Sequence, residues 1–258
     1  MLYLNGLPVP TTMFSDNTSQ VWKLPEEILT TTNFAHVTWE FSNEGEFLQL
    51  AQLKLLLDHY DFRTVLRLPY LPYGRQDKEP SNTATFALYA FAELLNHLGF
   101  EEVICMDPHS SVAEELIYNF KAIYPVDKIY EVAKLVEANL FCYPDAGAFE
   151  KYINLLKGGH IYGEKVRDQL TGNITSYKLI GTPIGTVLIV DDICDGGMTF
   201  KLLAKDLLAA GAKSVVLFVT HGIFSKGLQT LKDSGIQRIY TQDGEASEEA
   251  GQIIYRKV

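Results

Sequence analysis

The sequence is poor in cysteine and in long apolar runs. Its 258 residues include three cysteines, Cys105, Cys142 and Cys194, and no CxxC pair. An odd, widely spaced set argues against a disulfide framework and against a cysteine-rich zinc site. No apolar run approaches the roughly 18 residues of a membrane-spanning helix, and the first residues, MLYLNGLPVP, lack the features of a signal peptide. We therefore expect a cytoplasmic protein with no membrane partner.

The sequence also lacks a surplus of positive charge. Lysine and arginine number 22 against 32 aspartate and glutamate residues, for a net charge of −10. Binding to phosphate backbones needs surplus positive charge, so we expect no nucleic-acid partner. Hydrophobic residues make up 47% and charged residues 21%, which is typical of a folded protein. The length fits one large domain or two small ones.

Short apolar runs alternate with helical patterns along the chain. Strands are predicted at 64–68, 102–106, 160–163, 186–190, 214–219 and 238–240, and helices at 83–98, 130–140 and 199–210. Ser81, Asn82 or Thr83 is the predicted cap of the first helix, whereas 139–159 gives no clear prediction. The apolar runs lack two-residue alternation, as expected for strands buried on both faces. This pattern predicts an α/β fold with parallel sheets.

Polar residues cluster just after the predicted strands. Ligands of open α/β sheets bind at the carboxyl ends of the strands, so these residues are expected along one edge of a sheet. They are Arg75, Gln76, Asp77, Asp107, His109, Lys165, Asp191, Asp192 and His221.

The segment from Val187 to Thr199 carries the clearest chemical pattern. A buried strand runs into two adjacent acids, then a small-residue loop and the start of a helix. Backbone N–H groups of such a loop can hold a phosphate. Adjacent carboxylates can accept hydrogen bonds from a sugar diol or approach a metal through water. The alternative is a strand, a tight turn and an acid-capped helix without a ligand, and neither a Walker A nor a GxGxxG pattern is present.

Six stretches in order give a specific resemblance: PYLPYGRQDK at 69–78, MDPH at 106–109, PDAG at 144–147, KVR at 165–167, the DD loop and THGIFS at 220–225. The DD loop resembles the phosphoribosyl-binding loop of type I phosphoribosyltransferases, and the whole set resembles the ribose-phosphate pyrophosphokinases. The resemblance implies two tandem phosphoribosyltransferase-like (Rossmann-like) domains with parallel sheets. The expected domains are 1–128, on the ATP side, and 129–258, on the ribose-phosphate side, with the last strand possibly returning to the first domain.

The resemblance also implies roles for individual residues. The ATP-binding residues would be Phe14, Asp16, Arg75, Gln76, Asp77 and His109. Magnesium contacts would come from Asp107, His109 and Asp145, and Asp127 resembles a further metal-site acid. Taken alone, an RQDK run is more often a solvated charged turn, His109 a structural histidine and Asp145 part of a turn. Magnesium suits dispersed acids, because it prefers oxygen ligands and substrate phosphates.

Lys165 and Arg167 fall where the family keeps its catalytic lysine and arginine. Two cations at i and i+2 of an extended loop point the same way and can neutralise charge on the transferred group and on departing AMP. A Lys-x-Arg alone is more often ordinary surface. The acceptor ribose and its phosphate would lie on Asp191, Asp192, Asp195, Gly196, Gly197, Met198 and Thr199.

The sequence departs from the family pattern at the N-terminus. Phe14 to Thr18 resembles the F-x-D-G-E loop that contacts adenine, with Asn17 and Thr18 in place of glycine and glutamate. Asparagine tolerates positive φ, so the turn is expected to survive, whereas the adenine contact loses a carboxylate. The chain is also shorter than typical members, which puts inherited regulation by phosphate and ADP in doubt.

The phosphate loop departs as well. The family pattern D-[ST]-x-G-T reads Asp195-Gly196-Gly197-Met198-Thr199, so a hydroxyl donor has become Gly196. A loop with fewer donors and more space can accept a phosphodiester, and Met198 can pack on an extended substituent. Loop drift with ribose 5-phosphate still the acceptor is the first expectation. The alternative is ADP-ribose as acceptor, giving ADP-ribose pyrophosphate for NAD salvage.

The resemblance implies an ATP-dependent transferase. It would move the β,γ-diphosphate of Mg-ATP to the C1 hydroxyl of a 5-phosphorylated ribose and release AMP. ATP would be the co-substrate, Mg²⁺ the cofactor, and a homo-oligomer, dimer or hexamer, the assembly. The alternatives are a phosphoribosyltransferase that consumes PRPP and a catalytically silent regulatory relative.

Overall fold

The computed structural model of the chain describes residues 1–24, 33–167, 174–249 and 252–256. The chain divides into two compact units, Met1–Tyr124 and Pro125–Val258. The sequence predicted a boundary after residue 128, whereas the compact units divide after residue 124. Among the described residues, no helix is long and apolar enough to cross a membrane.

The first unit is built around one six-stranded sheet. The strands described in this unit are β1 (Leu2–Leu4), β2 (Leu7–Pro8), β3 (Thr11–Met13), β4 (Ser19–Val21), β5 (Phe34–Trp39), β6 (Arg63–Leu68), β7 (Glu102–Met106) and β8 (Phe120–Ile123). The described helices are α1 (Glu46–His59), α2 (Ala87–Asn96) and α3 (Val112–Leu116). The sheet order is β2-β1-β5-β6-β7-β8, and β3 and β4 pair separately as a hairpin. Strands β5 to β8 run parallel in chain order, so their order never reverses.

Among the described residues of the first unit, one apolar core is formed. The three helices described above contribute to it: Leu50, Leu53 and Leu57 from α1, Phe91 and Leu95 from α2, and Ala113 from α3. They meet alternate residues of the parallel strands, such as Val37 and Trp39, or Leu66 and Leu68. Because alternate residues of a strand point to one face, the three helices lie on the same face of this sheet.

The second unit is built around an eight-stranded sheet. Its strands are β9 (Leu140–Tyr143), β10 (His160–Arg167), β11 (Ile174–Ile180), β12 (Thr186–Cys194), β13 (Ser214–Gly222), β14 (Ile236–Thr241), β15 (Gly244–Glu249) and β16 (Gln252–Arg256), and its helices are α4 (Val126–Leu135), α5 (Ala146–Tyr152), α6 (Met198–Ala209) and α7 (Gln229–Lys232). The order is β11-β10-β9-β12-β13-β14-β15-β16. Strands β10, β9, β12, β13 and β14 are parallel, and the edge strands are antiparallel. The last strand, β16, pairs with β15 in this sheet rather than in the first one.

Two apolar cores cover the two faces of the second sheet. Val187 and Ile189 of β12 pack with α6, whereas Leu188 and Val190 of the same strand pack with α4 and α5. Coverage on both faces explains why this strand reads as a continuous apolar run, TVLIV. The prediction of an α/β fold with mainly parallel sheets is confirmed.

Two predicted helices have other bounds in the structure. The helix predicted at 83–98 is α2, which begins at Ala87 after an N-cap at Phe86 and makes no side-chain capping hydrogen bond there. The predicted caps precede it in a turn, where the amide of Ala84 donates to the carbonyl of Ser81. The helix predicted at 130–140 is α4, which begins one residue after Pro125. It ends earlier because Glu137 takes a positive φ of 51° and the chain then enters β9.

The prediction that Lys165 lies on an extended loop is also wrong. Lys165 to Arg167 form the end of β10, where the ladder with β11 carries an irregularity between Val166 and Arg167. The unassigned segment 139–159 contains β9 and α5.

Candidate functional site

The second sheet brings the predicted acids together at one edge. The strand β9 lies between β10 and β12, although β10 follows β9 in the chain, so the strand order reverses between β9 and β12. Such a reversal opens a crevice at the carboxyl ends of the two strands. Register pairs Cys142 with Ile189, and Asp145 and Asp192 each lie three residues beyond that pair. The sheet order therefore places both acids at the crevice.

Asp145 joins the helix after β9 to the neighbouring strand β10. It is the N-cap of α5, and its Oδ1 accepts a hydrogen bond of 3.0 Å from the amide of Ala148. Its Oδ2 lies 2.6 Å from the ammonium of Lys165. Burial opposes ionisation, but the hydrogen bonds from Lys165 and Ala148 outweigh it and lower the pKa of Asp145 below its ordinary value. The predicted catalytic lysine and the predicted magnesium acid thus form an ion pair.

Asp191 and Asp192 follow the four fully buried residues Val187–Val190 of β12. The amide of Asp192 donates to Oδ1 of Asp191 at 2.9 Å, and the Asp192 side chain is buried. Desolvation by the surrounding protein raises the pKa of Asp191 well above its ordinary value, and the charge of Asp192 raises it further. Burial and the neighbouring carboxylate therefore both favour protonation of Asp191. Such a pair can offer both a donor and acceptors to the hydroxyls of a sugar.

The loop from Asp195 to Thr199 leads from β12 into α6. Gly197 is the N-cap of α6 with a φ of 76°, and it makes no side-chain hydrogen bond to the first turn. The helix of 12 residues begins at Met198, so its first backbone N–H groups follow the two acids closely along the chain. These groups and the positive end of the helix dipole suit an anion such as a phosphate.

The THGIFS stretch supports this loop from the next strand. The amides of Ile223 and Phe224 both donate to the carbonyl of Cys194, at 2.9 and 3.1 Å. The amide of Ser225 donates to Oδ1 of Asp195 at 3.3 Å. The stretch therefore fixes the start of the loop through backbone hydrogen bonds.

The loop is open at the two positions where the sequence departs from the family. A Cβ added to Gly196 would meet only the flexible side chain of Lys226, at 3.9 Å. Met198, the first residue of α6, is 56% exposed. By contrast, a Cβ on Gly197 would lie 3.0 Å from the side chain of Leu231.

Lys151 joins the site although sequence reasoning missed it. It lies in the last turn of α5, and its ammonium is 4.0 Å from Oδ2 of Asp192. The sheet order puts α5 over β12, which no spacing along the sequence reveals. The other predicted catalytic residue, Arg167, ends β10; the structure describes its backbone, and its role stays a prediction.

The first unit carries the residues predicted to bind ATP. Arg75 and Gln76 are exposed in the loop after β6, and Asp77 is partly exposed. The amide of Gln76 donates to the carbonyl of Tyr73, and its own carbonyl accepts from the amide of Leu88 in α2. The loop is thus tied to the helix that follows it, with the Arg75 and Gln76 side chains facing solvent.

Asp107 and His109 follow β7 but differ in exposure. Asp107 takes a φ of 47° and is fully buried, whereas His109 is exposed. The amide of Asp107 donates to the carbonyl of Ile123 at 2.7 Å, which anchors the turn to β8. Of the two, His109 is therefore the side chain that a ligand can reach from solvent.

The hairpin of β3 and β4 holds Phe14 and Asp16. Oδ1 of Asp16 accepts hydrogen bonds from the amide and the hydroxyl of Thr18, at 3.0 and 2.7 Å, and these bonds lower its pKa. Asn17 takes a positive φ of 64°, as expected for an asparagine that replaces the glycine of this turn. Phe14 is exposed beside Trp22, with 6.1 Å between ring centroids.

The described residues contain no group of three side chains that could hold a metal ion. Of the predicted magnesium ligands, Asp107 and His109 belong to the first unit and Asp145 to the second. Asp127 lies in the first turn of α4. The predicted ligand set stays a prediction.

Comparison with known proteins gives consistent relatives, although no family model matches the sequence. A ribose-phosphate pyrophosphokinase of Sulfurisphaera tokodaii is 30% identical over 202 residues, which cover 73% of this chain and 68% of that protein. The enzyme of the same name from Brucella melitensis is 30% identical over 194 residues, 69% of this chain and 61% of that one. Ribose-phosphate pyrophosphokinase 3 of Saccharomyces cerevisiae is 29% identical, and the match spans 56% of its length.

A solved structure shows the same fold. Phosphoribosylpyrophosphate synthetase from Mycobacterium smegmatis matches with a TM-score of 0.74 and 19% identity, over 91% of this chain and 79% of that one. The fold of two phosphoribosyltransferase-like units, the acid pair, the phosphate-type loop and the relatives agree. The chain belongs to the ribose-phosphate pyrophosphokinase family of diphosphotransferase enzymes.

Proposed function

We propose that the protein transfers the β,γ-diphosphate of Mg-ATP to the C1 hydroxyl of ribose 5-phosphate and releases AMP. The carrying observation is the convergence of Asp145, Lys165, Asp191 and Asp192 beside the Asp195–Thr199 loop at the crevice of the second sheet. A phosphorylated sugar needs an anion site and a set of hydroxyl partners. This edge of the sheet offers both.

The acceptor would bind through its phosphate and its ribose hydroxyls. The first-turn N–H groups of α6 and the hydroxyl of Thr199 would hold the 5-phosphate. Asp191 and Asp192 would exchange hydrogen bonds with the hydroxyls of the ribose diol. These contacts fix the ring and leave its C1 hydroxyl to attack the β-phosphorus.

Lys165 and Arg167 would supply positive charge to the reaction. In the proposed reaction, the oxygen of the C1 hydroxyl bonds to the β-phosphorus while the bond from that phosphorus to the α,β-bridging oxygen breaks. The bridging oxygen leaves with AMP, and the hydroxyl proton passes to water. Negative charge then grows on departing AMP. Cations fixed beside that charge stabilise the transition state. The ion pair with Asp145 holds Lys165 in place before substrate arrives.

ATP would bind through the first unit. The guanidinium of Arg75 can pair with phosphate oxygens through two parallel hydrogen bonds. Gln76, Asp77, His109, Phe14 and Asp16 are the further residues proposed for the nucleotide. The exposure of Arg75, Gln76 and His109 supports this proposal, because a ligand can reach them.

Magnesium fits this site best as a companion of the nucleotide. The carboxylates that could contact the ion are dispersed, and that of Asp145 is also paired with Lys165. The protein therefore offers single oxygen ligands rather than a closed set of ligands around the ion. Magnesium is commonly bound by one or two carboxylates together with substrate phosphates. When bound, the ion would neutralise charge on the phosphates of ATP.

The test is AMP release from Mg-ATP by the purified protein. We expect AMP with ribose 5-phosphate and none without an acceptor. No AMP with any sugar acceptor would contradict the proposal and favour a silent regulatory relative. Activity that requires a nucleobase and PRPP rather than ATP would identify a phosphoribosyltransferase instead.

A second candidate acceptor is ADP-ribose, favoured by the open loop. Space at Gly196 and the exposed side chain of Met198 suit a 5-phosphate that continues into a further group. The chemistry at C1 would be unchanged. The product, ADP-ribose pyrophosphate, would be a precursor for resynthesis of NAD.

One substitution in the protein distinguishes between the two candidate acceptors. Gly196→Ser restores the hydroxyl of the family pattern at a position with room for it. If ADP-ribose is the acceptor, wild type releases AMP with ADP-ribose and Gly196→Ser shifts kcat/KM towards ribose 5-phosphate. AMP release by wild type with ribose 5-phosphate but not with ADP-ribose would rule out the second candidate.

A further inference from the structure

Lys151 is a buried cation at the edge of the proposed acceptor site. Its side chain is 12% exposed, and that of Asp192, the facing acid, is 6% exposed. The ammonium lies 4.0 Å from Oδ2 of Asp192 and 5.2 Å from the ring centroid of Tyr152. Burying an ammonium costs free energy unless an opposite charge compensates. This placement is therefore unusual for a lysine with no role.

Helix α5 connects the two ion pairs of the site. Its N-cap, Asp145, pairs with Lys165 on β10, and Lys151 in its last turn faces Asp192 on β12. The helix packs against both β9 and β12 through Ala148 and Tyr152. Tyr152 in turn stacks on Tyr143 of β9, with ring planes 10° apart. One short, packed helix thus sets the position of both charges.

Asp192 needs such a cation because two other acids lie close to it. Asp191 precedes it in the chain, and Asp145 is close enough for the two carboxylates to repel each other. Lys165 is engaged with Asp145. A carboxylate among like charges turns away or takes up a proton unless a cation holds it. Lys151 provides that cation from the helix side.

We propose that Lys151 is a positioning residue, which holds the Asp192 carboxylate in the orientation that accepts hydrogen bonds from the ribose hydroxyls of the acceptor. Lys151 acts through Asp192 and does not touch the acceptor. The inference rests on the proposed function, since it assigns Asp192 to the acceptor ribose. It predicts that loss of the Lys151 charge weakens acceptor binding and leaves ATP binding unchanged.

The experiment compares Lys151→Met and Lys151→Arg with a control, Lys213→Met. Lys213 is exposed and lies just before β13, at the opposite end of the sheet from the acids. The measured quantities are the KM for acceptor, the KM for ATP, kcat and the melting temperature. Ribose 5-phosphate and ADP-ribose are supplied separately, and the acceptor is the one with which wild type releases AMP.

We expect Lys151→Met to raise the acceptor KM roughly tenfold or more, the size of one lost charge-assisted contact. The KM for ATP should stay within about twofold of wild type, and Lys151→Arg should recover most of the acceptor KM. Lys213→Met should behave as wild type. If Lys151→Met fails to fold, Lys151→Gln gives the same comparison with a smaller, polar side chain.

Three results would overturn the inference. An unchanged acceptor KM in Lys151→Met would do so, as would equal increases in both KM values, or a Lys151→Arg variant as impaired as Lys151→Met. In each case wild type still releases AMP, so the proposed function survives. If wild type releases no AMP with either acceptor, the proposed function fails and the inference fails with it.

Discussion

The position of each charged side chain in the ion pairs of the site is set by its ion-pair partner. Two lysines and three acids occupy one edge of the second sheet, and the distances join Lys165 to Asp145 and Lys151 to Asp192. The resemblance predicted Lys165, Asp145 and both acids of β12 as site residues, but no sequence pattern indicated these pairings. Pairing depends on which strands are neighbours, and spacing along the chain does not contain that information.

Replacing Lys165 should remove charge stabilisation of the departing group. We expect Lys165→Ala to lower kcat on the order of a hundredfold or more, which is typical for the loss of one such donor. The measurement is the steady-state rate of AMP release, with the melting temperature as a check on folding. The matched control is Lys178→Ala, an exposed lysine of the neighbouring strand β11 that pairs with Glu164. Equal kcat values for wild type and Lys165→Ala would exclude the catalytic role.

Glu46 in the first unit makes stability depend on pH. Burial alone would raise its pKa, but hydrogen bonds from the Met1 amino group, Ser42 and Trp39 lower it to about 2 from 4.5. The folded state therefore binds this proton less readily than the unfolded state. Glu46 contributes its full stability above its unfolded pKa, and the contribution is lost as the pH falls through the folded pKa.

The corresponding variant is Glu46→Gln, which cannot ionise. We expect it to melt below wild type near pH 6, and the gap in melting temperature to narrow as the pH falls from about 5 to about 2. Thermal unfolding followed by circular dichroism across this range measures both proteins. A gap that stays constant with pH would show that Glu46 does not titrate in this window.

At the scale of elements, the site depends on a loop held from two sides. Backbone hydrogen bonds from the THGIFS stretch fix its start. Gly197, in the middle of the loop, has a positive φ, and the side chain of Leu231 in α7 lies where a Cβ at this position would point. Glycine adopts this backbone conformation without strain, whereas a residue with a Cβ does not. The neighbouring glycine, Gly196, has neither constraint.

This contrast gives a matched pair of substitutions. We expect Gly197→Ala to lower the free energy of unfolding by about 1–2 kcal/mol and to raise the KM for acceptor, because the loop must shift. Gly196→Ala should leave the stability nearly unchanged. Chemical denaturation measures the first effect and AMP release the second. Equal stability of the two variants would show that the loop tolerates a Cβ at Gly197.

Element prediction from sequence succeeded where one physical signal dominated. The buried strand β7 and the run TVLIV of β12 were found because continuous apolar runs of this length favour buried strands. The predicted helix bounds were wrong where local contacts decide at which residue a helix begins or ends. Helix α2 begins later than predicted because a turn at Ser81 precedes it. Helix α4 ends at Leu135, just before Glu137 takes a positive φ that composition does not signal.

At the scale of the whole molecule, the two units share a sheet architecture but differ in strand order. The parallel strands of the first unit lie in chain order, whereas those of the second reverse between β9 and β12. The reversal gives the second unit a crevice at its acids, and this supports the proposal that it holds the acceptor. The family and the α/β fold were predictable from six motifs in order, while strand order was not, because it depends on long-range packing. The expected dimer or hexamer stays a prediction.

The central claim is that the diphosphate moves as one group from ATP to the acceptor sugar. The most direct measurement uses ATP labelled with ³²P at the β-phosphorus, Mg²⁺ and ribose 5-phosphate or ADP-ribose, with the products separated by charge. The account predicts that the label appears in the sugar product, in amounts equal to the AMP formed. Label that remains in ADP, or is released as free phosphate or diphosphate without a labelled sugar, would contradict it.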